Sequence, residues 1–222
     1  MQNQSGFTLI ELMIVTAIIS VVAGVAVPNL LSSRAVANER AVVASLRTIA
    51  TAQTQCQTRA ISDRDGDGQG EAIGIDQMAG LRPLFDGTSS VAPPCLPPSL
   101  GTTNVAGIAQ SRGYLMTLYL PDAAGNALIA NAANEANIAA DQAEIAWSCV
   151  AWPLTRGRTG IATYFVNQAG EILVAKNATY DGTSSVPPGG AALTGVGPSE
   201  LVGGTLAIGL AGADGNVWQT LR

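Results

Sequence analysis

Apolar and polar positions divide the chain into two unequal parts. From Phe7 to Leu31 the only charged residue is Glu11, a run of 25 residues against the ~20 that cross a bilayer. The stretch LMIVTAIISVVAGVAV is apolar on every side of a helix, which marks a span rather than an amphipathic surface helix. After Pro28 the pattern turns amphipathic. Val42, Leu46, Ile49, Gln53 and Cys56 recur at 4-3-4-3 spacing, with Arg40, Ser45, Arg47 and Thr51 mostly on other faces. The spacing predicts one helix to about residue 60. Its part 7–31 suits a membrane or an assembly, and its part 32–60 packs one face on a head. Pro28 removes one backbone hydrogen bond inside it and permits a kink.

The remaining residues, 61–222, read as one head domain. GYLMTLYL (113–120) and IAWSCVAWP (145–153) have strand character, and GIATYFVN-QAG-EILVAKN reads as a hairpin around a glycine-containing turn. The sheet is expected over about 113–176, with Trp147 and Trp152 on opposite strand faces. ANAANEANIAADQAEIA reads as a short helix or a loop, in which Glu135, Asp141 and Glu144 form a solvated face. Residues 83–104 form a Pro/Ser/Gly/Thr-rich loop, and 180–200 read as a flexible surface loop by their composition. A late ADGN turn suggests a last hairpin that brings Trp218 onto the sheet. The fold class is α+β: a lollipop with a long N-terminal helix, a small antiparallel β-sheet head and long loops.

Charge narrows the partners. Charged residues make up 12% of the chain, with net charge −5 and a sequence pI near 4.6. Phosphate backbones need Lys and Arg, so no nucleic acid partner is expected. Histidine is absent, which removes Ser-His-Asp triads, Cys-His dyads and His-ligated zinc. With no glycine-rich phosphate loop and no nucleophile–base pair, a membrane-tethered enzyme is the weakest reading. Cys56, Cys95 and Cys149 are widely spaced, with no C-x-x-C. An oxidising compartment would leave one disulfide and one thiol. Cys95, in a loop that a bridge would pin, and Cys149, in a strand, are the favoured pair. Cys56 on the helix stripe reads as a buried small hydrophobe.

Asp63, Asp65 and Asp67 alternate within the acidic loop 63–71 and are followed by Gly68, Gly70 and Glu71. This is the first half of a calcium loop, with hard oxygen ligands on short side chains. The second half is missing, because the twelfth position is Gly74 where an EF-hand has Glu. Glu71, or Asp76 beyond it, would have to substitute. The other reading is a solvated turn whose Asp side chains bond their own backbone. Calcium is the one cofactor suggested, and both readings stand at this point.

Glu11 remains. A carboxylate inside a membrane span costs ~2.5–3.5 kcal/mol on insertion scales and usually marks function. G-FTLIELMIV, with Pro28 twenty-second from Phe7, resembles the class III signal of type IV pilins and of type II secretion pseudopilins. The resemblance covers residues 6 to about 31. It implies a leader 1–6, cleaved between Gly6 and Phe7 by a prepilin peptidase, and N-methylation of Phe7. It also implies that Glu11 pairs with the N-terminal amine of a neighbouring subunit. The leader departs from the family in having no Lys or Arg, which weakens the positive-inside argument. DRDGDGQGE and FVNQAGE also resemble, more loosely, heads of some prepilin-type proteins.

The physics agrees with the resemblance. A buried carboxylate is tolerable when a cation meets it in the same place, and a neighbour's Phe7 amine would do so at one axial stagger only. The bland alternative is a solitary protonated Glu in an anchor helix. The implied function is a structural filament subunit, with a minor tip or ligand-binding subunit as alternative. The implied partners are copies of itself, other pilin-like subunits, the prepilin peptidase, an inner-membrane assembly platform, and lipid before assembly. The implied location is the inner membrane with the head in the periplasm, then a periplasmic or surface filament. Pilus and secretion pseudopilus share this N-terminus, so the sequence does not separate them.

Overall fold

The computed structural model describes residues 6–221. The leader reading falls mostly on residues 1–5, which lie outside the described residues, as does Arg222. The first element is the helix α1, Leu9–Thr58, which runs unbroken through Pro28. Its start is fixed by a capping box: the Thr8 hydroxyl accepts the Glu11 N–H at 3.2 Å, and the Glu11 carboxylate takes the Thr8 N–H at 3.4 Å. Val42, Leu46, Ile49, Gln53 and Cys56 are all buried, so the amphipathic stripe is the face laid on the head.

Short helices α2 (Ile75–Met78) and α3 (Pro98–Gly101) follow, and then the strands begin. They are β1 (Ile108–Ser111), β2 (Tyr114–Pro121) and β3 (Ala127–Ile129). A single 3-10 turn, Glu135–Asn137, and helix α4 (Ala140–Ile145) precede β4 (Ser148–Pro153), β5 (Thr163–Asn167) and β6 (Leu173–Ala175). The chain closes with β7 (Leu193–Thr194), β8 (Thr205–Leu206) and β9 (Gln219–Thr220). The main sheet is antiparallel in the order β1-β2-β4-β5-β6-β9, with β3 beside β1 on the same edge of β2; β7 and β8 pair separately.

Strand β1 lies outside the expected sheet limits. It hairpins onto β2 through Arg112 and Gly113, both at positive φ (45° and 76°), the two-residue geometry that matches strand twist. The β5–β6 hairpin turns where expected, with the Gly170 N–H on the Asn167 carbonyl at 2.8 Å. At the far edge, β9 pairs with β6 and brings wholly buried Trp218 edge-on to Phe165, ring centroids 6.0 Å apart.

The sheet is covered on both sides. One face meets α1: Tyr114, Met116, Leu118, Cys149, Tyr164 and Val166 pack with Val42, Leu46, Ile49 and Cys56. Trp147 belongs to this side, whereas Trp152 packs with Ile108 and Leu115 in a separate cluster. Val150, Phe165, Leu173 and Ala175 meet Ala191, Ala192, Leu193 and Trp218 from the chain's last forty residues or so. Every residue of β2, β4 and β5 is therefore buried. Within 180–200, expected as a flexible surface loop, Pro187 and residues 189–193 are buried against the sheet while most of the rest is at the surface. The segment's Gly182, Pro187 and Gly189 carbonyls accept from Trp152, Tyr119 and Ser148 of the sheet. Those three donors would otherwise be buried without partners.

Candidate functional site

The helix cap places the first candidate site. Gly6 is exposed, and Phe7 at 81% exposure begins an apolar surface that continues through Leu9, Ile10, Met13, Ile18, Val22, Val25 and Leu30. Its most apolar 18-residue window has a mean hydropathy of 2.5, and none of that window is buried within the chain. A bare surface of this extent needs lipid or other protein against it. Glu11 stands on that surface. Its Oε2 takes both Thr8 contacts, including the hydroxyl at 3.2 Å. The carboxylate therefore caps its own helix while open to a further donor. Thr8 is a functional residue that attention to charge alone misses, although T-x-x-E before an apolar run signals it.

The head is fastened to the stem at a second site. Asn38 donates to the Thr159 carbonyl at 3.0 Å. Glu39 Oε1 accepts the Ile161 and Ala162 N–H groups at 2.9 and 3.3 Å, with the Tyr114 hydroxyl at 3.5 Å. Burial, with the Glu39 charge beside it, pushes the Tyr114 phenol far above its ordinary value, so it stays neutral as a donor. These bonds tie the loop before β5 to one turn of α1, where the exposed stem gives way to the buried stripe.

The acidic loop sits at the other end of the helix. A Cβ at Gly70 would lie 2.3 Å from the Gln57 carbonyl, so only glycine lets this loop press on the last turns of α1. Asp63, Asp65 and Asp67 are exposed, and one carboxylate oxygen from each lies within 4.8 Å of the others. They also bond their own backbone. Asp63 accepts from Gly66 and Gly68 at 2.8 and 3.2 Å, Asp65 from Asp67 at 3.3 Å, and Asp67 from Gln69 at 2.7 Å. The Gln69 N–H, then the Gln69 side chain, holds the Asp67 carboxyl below its ordinary pKa.

Glu71 is not brought into the aspartate group. It is wholly buried, and Oε1 accepts the Arg64 N–H at 2.7 Å and its Nε at 3.2 Å. Its Oε2 has no partner among the described residues. The Arg64 guanidinium in turn lies 4.1 Å over the Phe85 ring. Asp76 is engaged elsewhere, paired with Arg82 at 2.7 Å, so it does not complete the loop. Nor are Glu135, Asp141 and Glu144 one solvated face. Glu135 pairs with Arg82 from the 3-10 turn, while Asp141 and Glu144 stand on α4. Partial occlusion, then the nearby Asp67 and Asp65 charges, raises the Glu144 carboxyl above its usual range. The arrangement could hold a hard cation through Asp63, Asp65 and Asp67.

All three cysteines are free thiols. The expected Cys95–Cys149 pair is not formed. Cys149 is wholly buried in β4 between the Leu118 and Val166 pairing positions, under α1. Cys95 is half-buried in the proline-rich loop beside Ala52 and Gln55, at the turns of α1 that carry Cys56.

A long apolar stem carrying one carboxylate, capped by an antiparallel head, defines a membrane-capable stem-and-head protein. Residues 1–27 match the family described as the prokaryotic N-terminal methylation motif. The type IV wide pilus major component PilA4 of Thermus thermophilus is 56% identical over 46 residues, 21% of this chain and 35% of that protein. The chain thus spans about a third of the curated relative it matches. No solved structure gives a match. The N-terminal segment carries a prokaryotic N-terminal methylation motif and is similar to the start of a type IV pilus component.

Proposed function

We propose that this chain is a structural subunit of a type IV pilus or pseudopilus-like filament. It is made as an inner-membrane precursor with its head in the periplasm. A prepilin peptidase cuts between Gly6 and Phe7, and the new Phe7 amine is methylated. An assembly platform then transfers the stem from lipid into a filament of copies of this chain and other pilin-like subunits. The observation that carries this is the exposed apolar stem with Glu11 as its one charge before Arg34. Lipid or neighbouring stems would satisfy the apolar surface. Only a partner cation satisfies the carboxylate once water is removed, and the Phe7 amine of an axially displaced copy is that cation. Co-expression with an active prepilin peptidase, followed by intact-mass measurement, tests the reading. A chain beginning at methylated Phe7 is expected, and one still carrying Gly6 would sink it.

The acidic loop adds a proposal of its own: Asp63, Asp65 and Asp67 take a calcium ion, with water completing its shell. Their convergence within 4.8 Å supports this. Their bonds to the loop backbone supply a pre-set curve.

A further inference from the structure

The three thiols sit in different surroundings, and two of them, Cys56 and Cys95, lie at the same turns of α1. Cys56 lies on the buried stripe in the last turns of α1. Cys95 comes from the proline-rich loop and lies beside Ala52, Gln55 and Arg59, residues of the helix end around position 56, with Ala52 and Arg59 on its own face. The loop is held in place there: the Cys95 and Leu96 N–H groups both donate to the Met78 carbonyl, at 2.9 and 3.2 Å. On the solvent side the Arg59 guanidinium reaches Cys95 Sγ at 3.8 Å. Cys149 has no such opening, being enclosed by sheet residues under the helix.

We propose that Cys56 and Cys95 close an intramolecular disulfide that binds the last turns of α1 to the proline-rich loop, with Cys149 left as a buried thiol. The oxidant is a small-molecule or protein disulfide. The Cys95 thiolate attacks one of its sulfurs, forming a mixed disulfide and expelling one thiolate. Cys56 then attacks Cys95 Sγ and expels the second thiolate, which takes up the Cys56 proton. Two thiols are oxidised to one disulfide, and the oxidant's disulfide is reduced to two thiols that carry away the two protons. Cys95 makes the first attack because it alone is reached from outside.

The resulting covalent ring runs from residue 56 to residue 95. It contains the whole acidic loop and α2, so it fixes the end of the stem and the aspartate group with one bond. Closure in the cell rests on the reading that the head is exported to an oxidising space. The choice of partners does not rest on it.

The experiment takes the full chain in detergent, reduces it, and exposes the folded protein to glutathione disulfide. It is then denatured, labelled with a maleimide and mapped without reduction. The expected result is three labelled thiols before oxidation and one after, at Cys149, with a Cys56–Cys95 linked peptide. Cys149→Ser is expected to close the same link, and Cys95→Ser to lose it. A link to Cys149, or three labelled thiols after oxidation, overturns the proposal. Thiol trapping in cells is the separate arm. A link that forms in the purified chain but is absent in cells counts against export, and the pairing stands.

Discussion

The Glu11 carboxylate takes the N–H of Thr8 at 3.4 Å while the Thr8 hydroxyl takes the N–H of Glu11 at 3.2 Å. One residue therefore both starts the helix and carries the stem's charge, and two substitutions separate these roles. Glu11→Gln keeps an acceptor for the cap and removes the charge, whereas Glu11→Ala removes both. Both variants are expected to be cut after Gly6 like the parent. Both are expected to lower filament yield more than about tenfold, because a buried amine left unpaired costs ~3–5 kcal/mol. Wild-type yield from Glu11→Gln, measured by filament shearing and quantitation, would remove the pairing role.

Glu39→Ala tests the fastening of head to stem. The change strands the Ile161 and Ala162 N–H groups and the Tyr114 contact. Losing these is expected to cost ~1–3 kcal/mol. For a chain of this size each kcal/mol lowers Tm by about 2–4 °C, which thermal unfolding in detergent would read directly.

The stem was legible in the sequence because its signals are local. An apolar run and a 4-3 stripe need no knowledge of the rest of the chain, and Val42 through Cys56 are buried as that stripe requires. Strands β2, β4, β5 and β6 were legible for the same reason, through dense aromatic and β-branched runs. The segment 180–200 was not, because Gly, Pro and Ser content says nothing of where backbone carbonyls point. Here they meet Trp152, Tyr119 and Ser148. The place of Cys95 was also hidden, since it depends on which side of α1 a loop passes.

Calcium is expected to raise Tm at millimolar concentration, and a chelator to return it. Asp65→Asn should reduce the shift by removing one of three converging charges. Absence of any shift in the parent would retire the three aspartates as ligands.

Acid should weaken the proline-rich loop. The Ser89 hydroxyl, then the Thr88 and Ser89 N–H groups, hold the Asp86 carboxyl at about 2. A depressed carboxylate stabilises the fold above its ordinary value of about 3.9 and loses that contribution as pH falls through its folded value. The parent's Tm is therefore expected to fall between about pH 4 and pH 2, less steeply in Asp86→Ala. Glu144, raised by occlusion and its acidic neighbours, runs in the opposite sense. Its contribution is present below its ordinary value and fades as pH rises through the raised one.

Trp218→Ala probes the chain's last turn. It empties a wholly buried site against Phe165 and leaves Asp214 without its indole donor. The expected loss is ~3–5 kcal/mol, detectable as a lower denaturant midpoint.

The sheet's two borders have a consequence for mechanics. One border is divided between β1 and the three-residue β3, and the other is the two-residue β9. Neither offers a long row of free backbone groups on which another sheet could grow. Heads of adjacent copies would meet as side-chain surfaces and would not fuse into a continuous ribbon. In a filament of this chain, tension along the axis would run through packed stems, and the heads would be free to slide and re-seat as the fibre bends.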